Sequence, residues 1–147
     1  MAGGLNDTIR AFGHPATLVH EYAHWVVLLR PAQPTLGALV LAAKSEALAF
    51  GDLPDAAHAE LKVVTADIEA ALTAAVGYAK INYLMLMMVD PHVHFHVLPR
   101  YEGVREQAGV KVPDAGWPKV PALGEAVTLT DDQKTALVAW LQGHWPR

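Results

Sequence analysis

The chain has 147 residues, of which 52% are hydrophobic and 18% are charged, as in a globular protein of one domain. The formal net charge of −4 argues against binding to nucleic-acid polymers through a basic surface, and the lack of cysteine excludes a disulfide framework. Because no apolar run resembles a signal core or a transmembrane helix, we expect a cytoplasmic protein without a membrane segment.

The first predicted elements are a short helix and a β-hairpin. Residues 6–12 favour a helix that stops at Gly13 and Pro15. Residues 22–29 are rich in aromatic and β-branched side chains, which favours a strand. Residues 36–42 form a second apolar run, and we expect the two strands to pair as a hairpin.

A long helix and two further strands follow. Asp55 after Pro54 is the expected N-cap of the helix, and Gly77 is its expected end. Its buried stripe recurs at helical spacing and consists of Leu61, Val64, Ile68, Leu72 and Ala75. Residues 80–89 are almost continuously apolar, which predicts a central strand covered on both faces. Met85, Met87 and Met88 are expected to fill gaps in the core, and lining of a purine pocket is the alternative.

The C-terminal part is a different kind of segment. Residues 102–129 are rich in glycine and proline, which argues against regular elements there. We expect Trp117 and Pro118 to anchor this segment on the core or on a partner subunit. Residues 130–133 form a capping-box pattern, which predicts a last helix that ends at Gly143. The inner face of this helix would carry Leu137, Trp140 and Leu141.

The most informative segment contains three alternating histidines. His92, His94 and His96 are separated by Val93 and Phe95, so on a strand the three imidazoles would share one face. Such a face suits metal binding or catalysis by imidazole as nucleophile and proton carrier. The outer Cα atoms would lie roughly 13 Å apart, which makes one zinc ion hard to reach from all three. A surface strand with a chance cluster of histidines is the remaining interpretation.

A second histidine pattern has the spacing of a zinc site. His20, Glu21 and His24 match the His-Glu-x-x-His pattern of zinc metalloproteases, which works only on a helix. The following residues 25–27 are aromatic or β-branched and favour a strand instead. We therefore expect ordinary strand residues here and no bound metal.

The turn before the three alternating histidines sets the position of the first of them. Pro91 cannot adopt the positive φ of a two-residue primed turn, whereas Asp90 followed by Pro91 fits a type I turn. His92 would then lie in the turn, and only His94 and His96 would lie within the strand. Arg100, at the far end of this strand, is expected either to be solvated or to meet a phosphate.

At this point the chain resembles the histidine triad family of nucleotide hydrolases and transferases. The segment 92–98 matches the family signature in full, and Pro99 and Arg100 follow it, as is common. With the upstream hairpin and helix, the resemblance covers about residues 15–101. It implies an α+β fold whose antiparallel sheet carries a long helix on one face and the histidines on the other. Residues 1–147 would form a single domain, with a C-terminal extension over 102–147 that ends in a helix.

The resemblance also implies a mechanism. His94 would attack the α-phosphate of a nucleotide ester, anhydride or phosphoramidate and form a nucleotidyl-histidine intermediate. His96 would protonate the leaving group, and His92 would order the site. No cofactor is required by this chemistry, the substrate would be a nucleotide, and a homodimer is expected because members of the family are commonly dimers.

Three departures from the family pattern keep other functions open. The Gly-rich loop that holds the phosphate in many members is replaced by the apolar run 84–89. Gly37 and Ala38 stand where many members have Gly-His, and Arg30 follows the first strand in place of a ribose-binding Asn. The alternatives are a non-catalytic nucleotide-binding or interaction module on the same fold, and a metal-dependent enzyme.

Overall fold

A computed structural model describes residues 5–147 as a mixed α+β structure. The helices are α1 (Asp7–Ala11), α2 (Asp55–Val76) and α3 (Asp131–His144). The strands are β1 (Leu18–Glu21), β2 (Trp25–Leu29), β3 (Ala32–Gln33), β4 (Leu39–Ala43), β5 (Lys80–Leu84), β6 (His94–Arg100), β7 (Val104–Gln107), β8 (Val110–Pro113) and β9 (Val127–Thr128). Five of them form an antiparallel sheet in the order β1-β2-β4-β6-β5, and β3 with β9 and β7 with β8 form two small pairs.

The two faces of the main sheet have different cover. Alternate residues of β2 and β6, among them Val27 and Val97, belong to the large core that α2 and α3 cover. The intervening residues of β2 and β4, such as Val26 and Val40, pack with Ile9 of α1 in a smaller cluster. His96 is paired with Val40 and therefore lies on this second face. The predicted fold class, with the long helix and the histidines on opposite faces, is confirmed.

Helix α2 follows the predicted pattern with a shift at its start. Pro54 is the N-cap and makes no side-chain capping bond, so Asp55 is the first helical residue and the predicted N-cap was wrong by one position. An acidic side chain in the first turn is still favourable beside the helix dipole. Gly77 ends the helix as predicted, in the left-handed conformation with a φ of 63°.

The strand predicted over 80–89 was wrong in both length and place. Strand β5 stops at Leu84 and pairs only with β6, at the edge of the sheet. Residues 85–93 form a connection instead of a short turn, with Met87 at a φ of 49°. Leu86, Met88 and Val89 are exposed, so Met88 does not fill the core. Continuous apolarity here belongs to a loop, which the pattern alone could not distinguish from a buried strand.

The Gly/Pro-rich segment contains a hairpin that the sequence analysis did not predict. Strands β7 and β8 pair through Ala108 and Gly109, whose φ values of 54° and 77° are those of a primed hairpin turn. Val110 and Val112 of β8 are buried in the core. Helix α3 has the predicted capping box, but it extends one residue past Gly143.

A buried ion pair joins the C-terminal extension, residues 102–147, to strand β6. The Arg100 guanidinium donates from Nε to Asp114 Oδ2 at 2.7 Å and from Nη2 to Asp114 Oδ1 at 3.0 Å. It also donates to the side-chain oxygen of Asn82. Only 3% of Arg100 is exposed, so the expectation of a solvated or phosphate-binding arginine was wrong. Within residues 5–147, no helix combines the length and the apolar character needed to span a membrane.

Candidate active site

The structure brings two histidines of the triad together and separates the third. His94 and His96 lie on β6 with their ring centroids 5.1 Å apart. They are 2% and 8% exposed. His92 precedes the strand, as the Asp90–Pro91 sequence predicted.

A hydrogen bond fixes the tautomer of His94. Its Nδ1 lies 2.8 Å from the backbone carbonyl oxygen of His92. A carbonyl can only accept, so Nδ1 is the protonated nitrogen and donates this bond. The lone pair of neutral His94 is therefore on Nε2, where a nucleophile needs it.

The ring of His92 has partners outside this pair. Its Nδ1 lies 3.0 Å from Thr8 Oγ1, and its Nε2 lies 3.1 Å from Glu46 Oε1. A carboxylate oxygen accepts, so His92 donates from Nε2 and its Nδ1 accepts from the Thr8 hydroxyl when the ring is neutral. His92 thus orders His94 through its backbone carbonyl, while its ring fastens the segment to α1 and to the loop after β4.

His96 is held by an arginine. The Nε–H of Arg30 donates to His96 Nδ1 at 3.3 Å, so the neutral ring carries its proton on Nε2. Burial, together with smaller contributions from the charges of Arg30 and His94, lowers the pKa of His96 to about 4. In the free protein His96 is therefore neutral near pH 7. The sequence analysis had assigned it a proton for the leaving group.

The two histidines line a pocket of about 240 Å³. Its other walls come from α1, the end of β2 and the connection after β5: Phe12, Arg30, Leu86, Met87, Met88, Val89 and Asp90. The Phe12 ring lies 5.4 Å from that of His94 and 5.7 Å from that of His96. The lining is mainly apolar, with Arg30 and Asp90 as its charged members and the two imidazoles as its other ionisable groups.

The sequence analysis missed Arg30 and Phe12 as site residues. Arg30 follows β2, whose five residues are all buried, and a charge directly after such a strand was the available signal. Phe12 is the C-cap of α1, and only the packing of this helix over the histidine face brings it to the pocket.

The second histidine pattern does not form a zinc site of the metalloprotease type. His20 and Glu21 belong to β1, and His24 lies between β1 and β2, so the helix that the pattern requires is absent from these residues. The His20 ring instead contacts Tyr22 and Trp145. Within the described part of the chain, no group of three or more His, Cys, Asp or Glu residues is arranged to hold a metal ion.

Comparison with known proteins shows which solved structures this fold resembles. No family model and no curated protein matches the sequence. Solved structures do match: a histidine triad protein from Bradyrhizobium japonicum has 19% identity and a TM-score of 0.73 over 96% of both chains. One from Sinorhizobium meliloti 1021 has 21% identity and a TM-score of 0.73 over 95% of both. One from Marinobacter aquaeolei VT8 has 22% identity and a TM-score of 0.68 over 96% of this chain and 94% of that one.

These likenesses extend over nearly the whole chain and agree with the sequence pattern of residues 92–98. The chain has the fold of the histidine triad proteins.

Proposed function

We propose that this protein is a hydrolase or nucleotidyl transferase that acts at the α-phosphate of a nucleotide. Its substrate class is a nucleotide phosphoramidate, a nucleotide ester or a dinucleoside polyphosphate. The observation that carries the proposal is the hydrogen bond from His94 Nδ1 to the His92 carbonyl, because it leaves the Nε2 lone pair of a pocket-lining imidazole for attack on phosphorus.

The reaction has two steps. His94 Nε2 forms a bond to the α-phosphorus while the bond to the leaving group breaks, and the leaving group departs with that electron pair and takes up a proton from His96. Water or another acceptor then attacks the same phosphorus and gives up a proton to the now neutral His96, while the bond from phosphorus to His94 breaks and releases His94. Because His96 is neutral in the free protein, it must first be protonated with substrate bound.

The apolar lining supports a nucleoside as the group beside the phosphate. Phe12, Met87 and Met88 offer an aromatic ring and two polarisable thioethers to a base. The histidines supply both nucleophile and proton donor, so we propose that no cofactor is required. Prolonged dialysis against EDTA is then expected to leave the rate unchanged.

The proposed assembly is a cytoplasmic homodimer. Strand β5 pairs with β6 on one side only, so its other edge can pair with a second copy. Light scattering of the purified protein measures the mass directly, and a monomer over the working concentration range contradicts this proposal.

The test of function is to trap the intermediate. The protein is mixed with a panel of adenosine and guanosine phosphoramidates and dinucleoside polyphosphates, quenched in alkali, and analysed by mass spectrometry. The expected result is a nucleotidyl adduct on His94 and its loss, together with turnover, in His94→Ala. His92→Ala is the matched control, because it removes an imidazole but keeps the carbonyl that orients His94. A wild-type rate in His94→Ala would contradict the mechanism.

A non-catalytic binding module is the second candidate. It is favoured by the replacement of the phosphate-holding loop with apolar residues, two of which, Met88 and Val89, are 86% and 91% exposed. Nucleotide binding in calorimetry, with no adduct and no product from any member of the panel, would establish this alternative.

A further inference from the structure

Arg30 is a cation in the pocket without an anionic partner. Its Nε donates to His96 Nδ1 at 3.3 Å, and its Nη1 donates to the Ala32 carbonyl at 2.5 Å. Within residues 5–147, Arg30 forms no ion pair with Asp or Glu, and its Nη2 donates no hydrogen bond. Both of its acceptors are therefore neutral groups.

This arrangement leaves the positive charge of Arg30 without a counter-charge. A cation removed from water is costly unless a counter-charge and hydrogen bonds replace the lost hydration. Arg100 shows the usual solution in the same sheet, since its buried guanidinium has the carboxylate of Asp114. Arg30, which is partly buried, has no such counter-charge, and burial lowers its pKa. The pocket that it lines is open to a ligand, so the missing charge can come from outside the chain.

We propose that Arg30 is the anion-binding residue of this pocket, and that a tetrahedral anionic group of the substrate displaces His96 from the Arg30 guanidinium. A planar guanidinium presents parallel N–H groups that match the oxygens of a phosphate. Arg30 would thereby do for this chain what the Gly-rich loop does in many proteins of this fold. That the anion is the α-phosphate rests on the proposed function, whereas the anion site itself does not.

The exchange has a consequence for His96. While Arg30 donates to Nδ1, that nitrogen cannot also carry a proton, and the adjacent positive charge opposes an imidazolium. Once an anion binds the Arg30 guanidinium, His96 Nδ1 is free and the anion offsets the positive charge of Arg30. His96 can then take up a proton and become the acid that the leaving group needs. The contact with Arg30 thus keeps His96 neutral in the free protein, and substrate binding prepares His96 for catalysis.

The other ionisable groups on this lining are His94 and Asp90. His94 is bound to the His92 carbonyl through Nδ1 and keeps that bond whether or not Arg30 moves. Asp90 lies on the connection between β5 and β6 and forms no ion pair with Arg30 in the described structure. It is the side chain that would compete with the anion for Arg30.

The experiment uses inorganic sulfate, a tetrahedral dianion whose charge is constant over the titration. NMR follows the His96 ring signals from pH 7.5 downward, with and without saturating sulfate, and His96→Gln assigns them. Without sulfate the midpoint is expected near 4, and sulfate should move it upward towards the ordinary histidine value of 6.5. This measurement on the wild-type protein does not depend on whether any Arg30 variant folds.

Variants identify the residue responsible. Arg30→Gln is expected to weaken sulfate binding near pH 7 by about 10- to 100-fold, as for loss of a charged hydrogen bond, and to raise the His96 midpoint in the absence of sulfate. Arg105→Gln is the matched control, because Arg105, like Arg30, donates to a backbone carbonyl, from Nε to that of Val76 at 3.0 Å, and lies outside the pocket. It should change neither quantity.

Equal sulfate affinity in Arg30→Gln and the wild type, or a His96 midpoint that sulfate does not move, would overturn the proposal. Sulfate binding that depends on Arg30, together with no adduct on His94, would leave this anion site standing and refute the catalytic function. An adduct on His94 that forms normally in Arg30→Gln would leave the catalytic function standing and overturn the assignment of Arg30 to the α-phosphate.

Discussion

Hydrogen bonds give the three histidines of the alternating motif different chemical states. His94 keeps a lone pair on Nε2 because a carbonyl takes its Nδ1 proton, and His96 keeps a proton on Nε2 because Arg30 occupies its Nδ1. His92 acts on the site through its main chain. The role of each ring is therefore set by its hydrogen-bond partner and not by its position in the motif.

The first prediction compares His92 with His96. His92→Ala keeps the carbonyl that orients His94, so we expect kcat/KM to fall by less than about tenfold. His96→Ala removes the proposed proton donor, and general acid catalysis is typically worth about 10²–10⁴-fold. The His96→Ala deficit should shrink with a leaving group that departs unprotonated.

Steady-state kinetics of both variants on a good and a poor leaving group measure these effects, with circular dichroism as a check on folding. If His92→Ala shows the larger loss and the dependence on the leaving group, the proton donor is assigned to the wrong ring.

Residue identity alone predicted the nucleophile candidate but not its surroundings. The spacing of His94 and His96 implies a shared strand face, which follows from the alternation of side chains and needs no tertiary information. Arg30 is 66 residues away from His96 along the chain, and its contact exists only because β2, β4 and β6 are neighbours. A single sequence contains no local signal for such a pair.

At the scale of elements, the connection between β5 and β6 is the part of the site that differs most from expectation. The sequence pattern predicted that residues 86–89 end a buried strand. They instead form one wall of the pocket, and Met88 and Val89 are largely exposed. Exposed apolar side chains beside a pocket are expected to be covered by ligand, since that removes apolar surface from water.

The second prediction follows from this exposure. Met88→Gln with Val89→Thr should raise KM for a nucleotide substrate by about 3- to 30-fold, because up to ~2 kcal/mol of apolar contact with the base is lost. Stability should change by less than about 0.5 kcal/mol, since neither side chain is buried in the free protein. Urea unfolding and substrate-saturation curves measure the two quantities. An unchanged KM would show that the base does not contact this wall.

The third prediction concerns the join between the C-terminal extension and the triad strand. Arg100→Met leaves Asp114 buried without its cation, so we expect a loss of about 3–5 kcal/mol in the free energy of unfolding. Adding Asp114→Leu removes the unpaired carboxylate and should recover part of the lost free energy of unfolding. Urea unfolding of both single variants and the double variant gives the coupling between them. A double variant as unstable as the sum of the single variants would show that the pair does not act as a unit.

Elements with strong local signals were predicted best. The helical spacing of α2, its glycine stop and the capping box of α3 are local features, and each is present in the structure. The β7–β8 hairpin has a weaker signal, because its turn is Ala108-Gly109 and its strands lie among glycines and prolines. Its formation depends on Val110 and Val112 reaching the core, which is a tertiary effect.

For the whole molecule, the division of the sheet into two faces relates stability to the site. One face carries the large core beneath α2 and α3, and the other carries the histidines beneath the short helix α1. Placing imidazoles in the second face leaves ionisable groups in a mostly apolar layer. Folding is therefore coupled to the protonation of His96, whose pKa falls in the folded protein from its ordinary 6.5 to about 4, mainly through burial.

The last prediction is the pH dependence of stability. The unfolded chain protonates His96 near pH 6.5 and the folded chain only near pH 4, so between these values the unfolded state binds more protons. The free energy of unfolding must then rise with pH in this window and fall on acidification. A shift of this size corresponds to roughly 2–3 kcal/mol between about pH 7.5 and pH 4.5.

His96→Gln should remove that part of the slope, and His144→Gln, an exposed position on α3, controls for the loss of an imidazole. Asp67 titrates in a lower range: burial raises its pKa, but hydrogen bonds from Arg147 and Tyr22 lower it overall below 3.8, so its contribution is lost only at more acid pH. Urea unfolding of the three proteins across the window measures the slopes. If His96→Gln and the wild type lose stability equally, His96 is not held neutral by the fold, and the contact with Arg30 does not control its protonation.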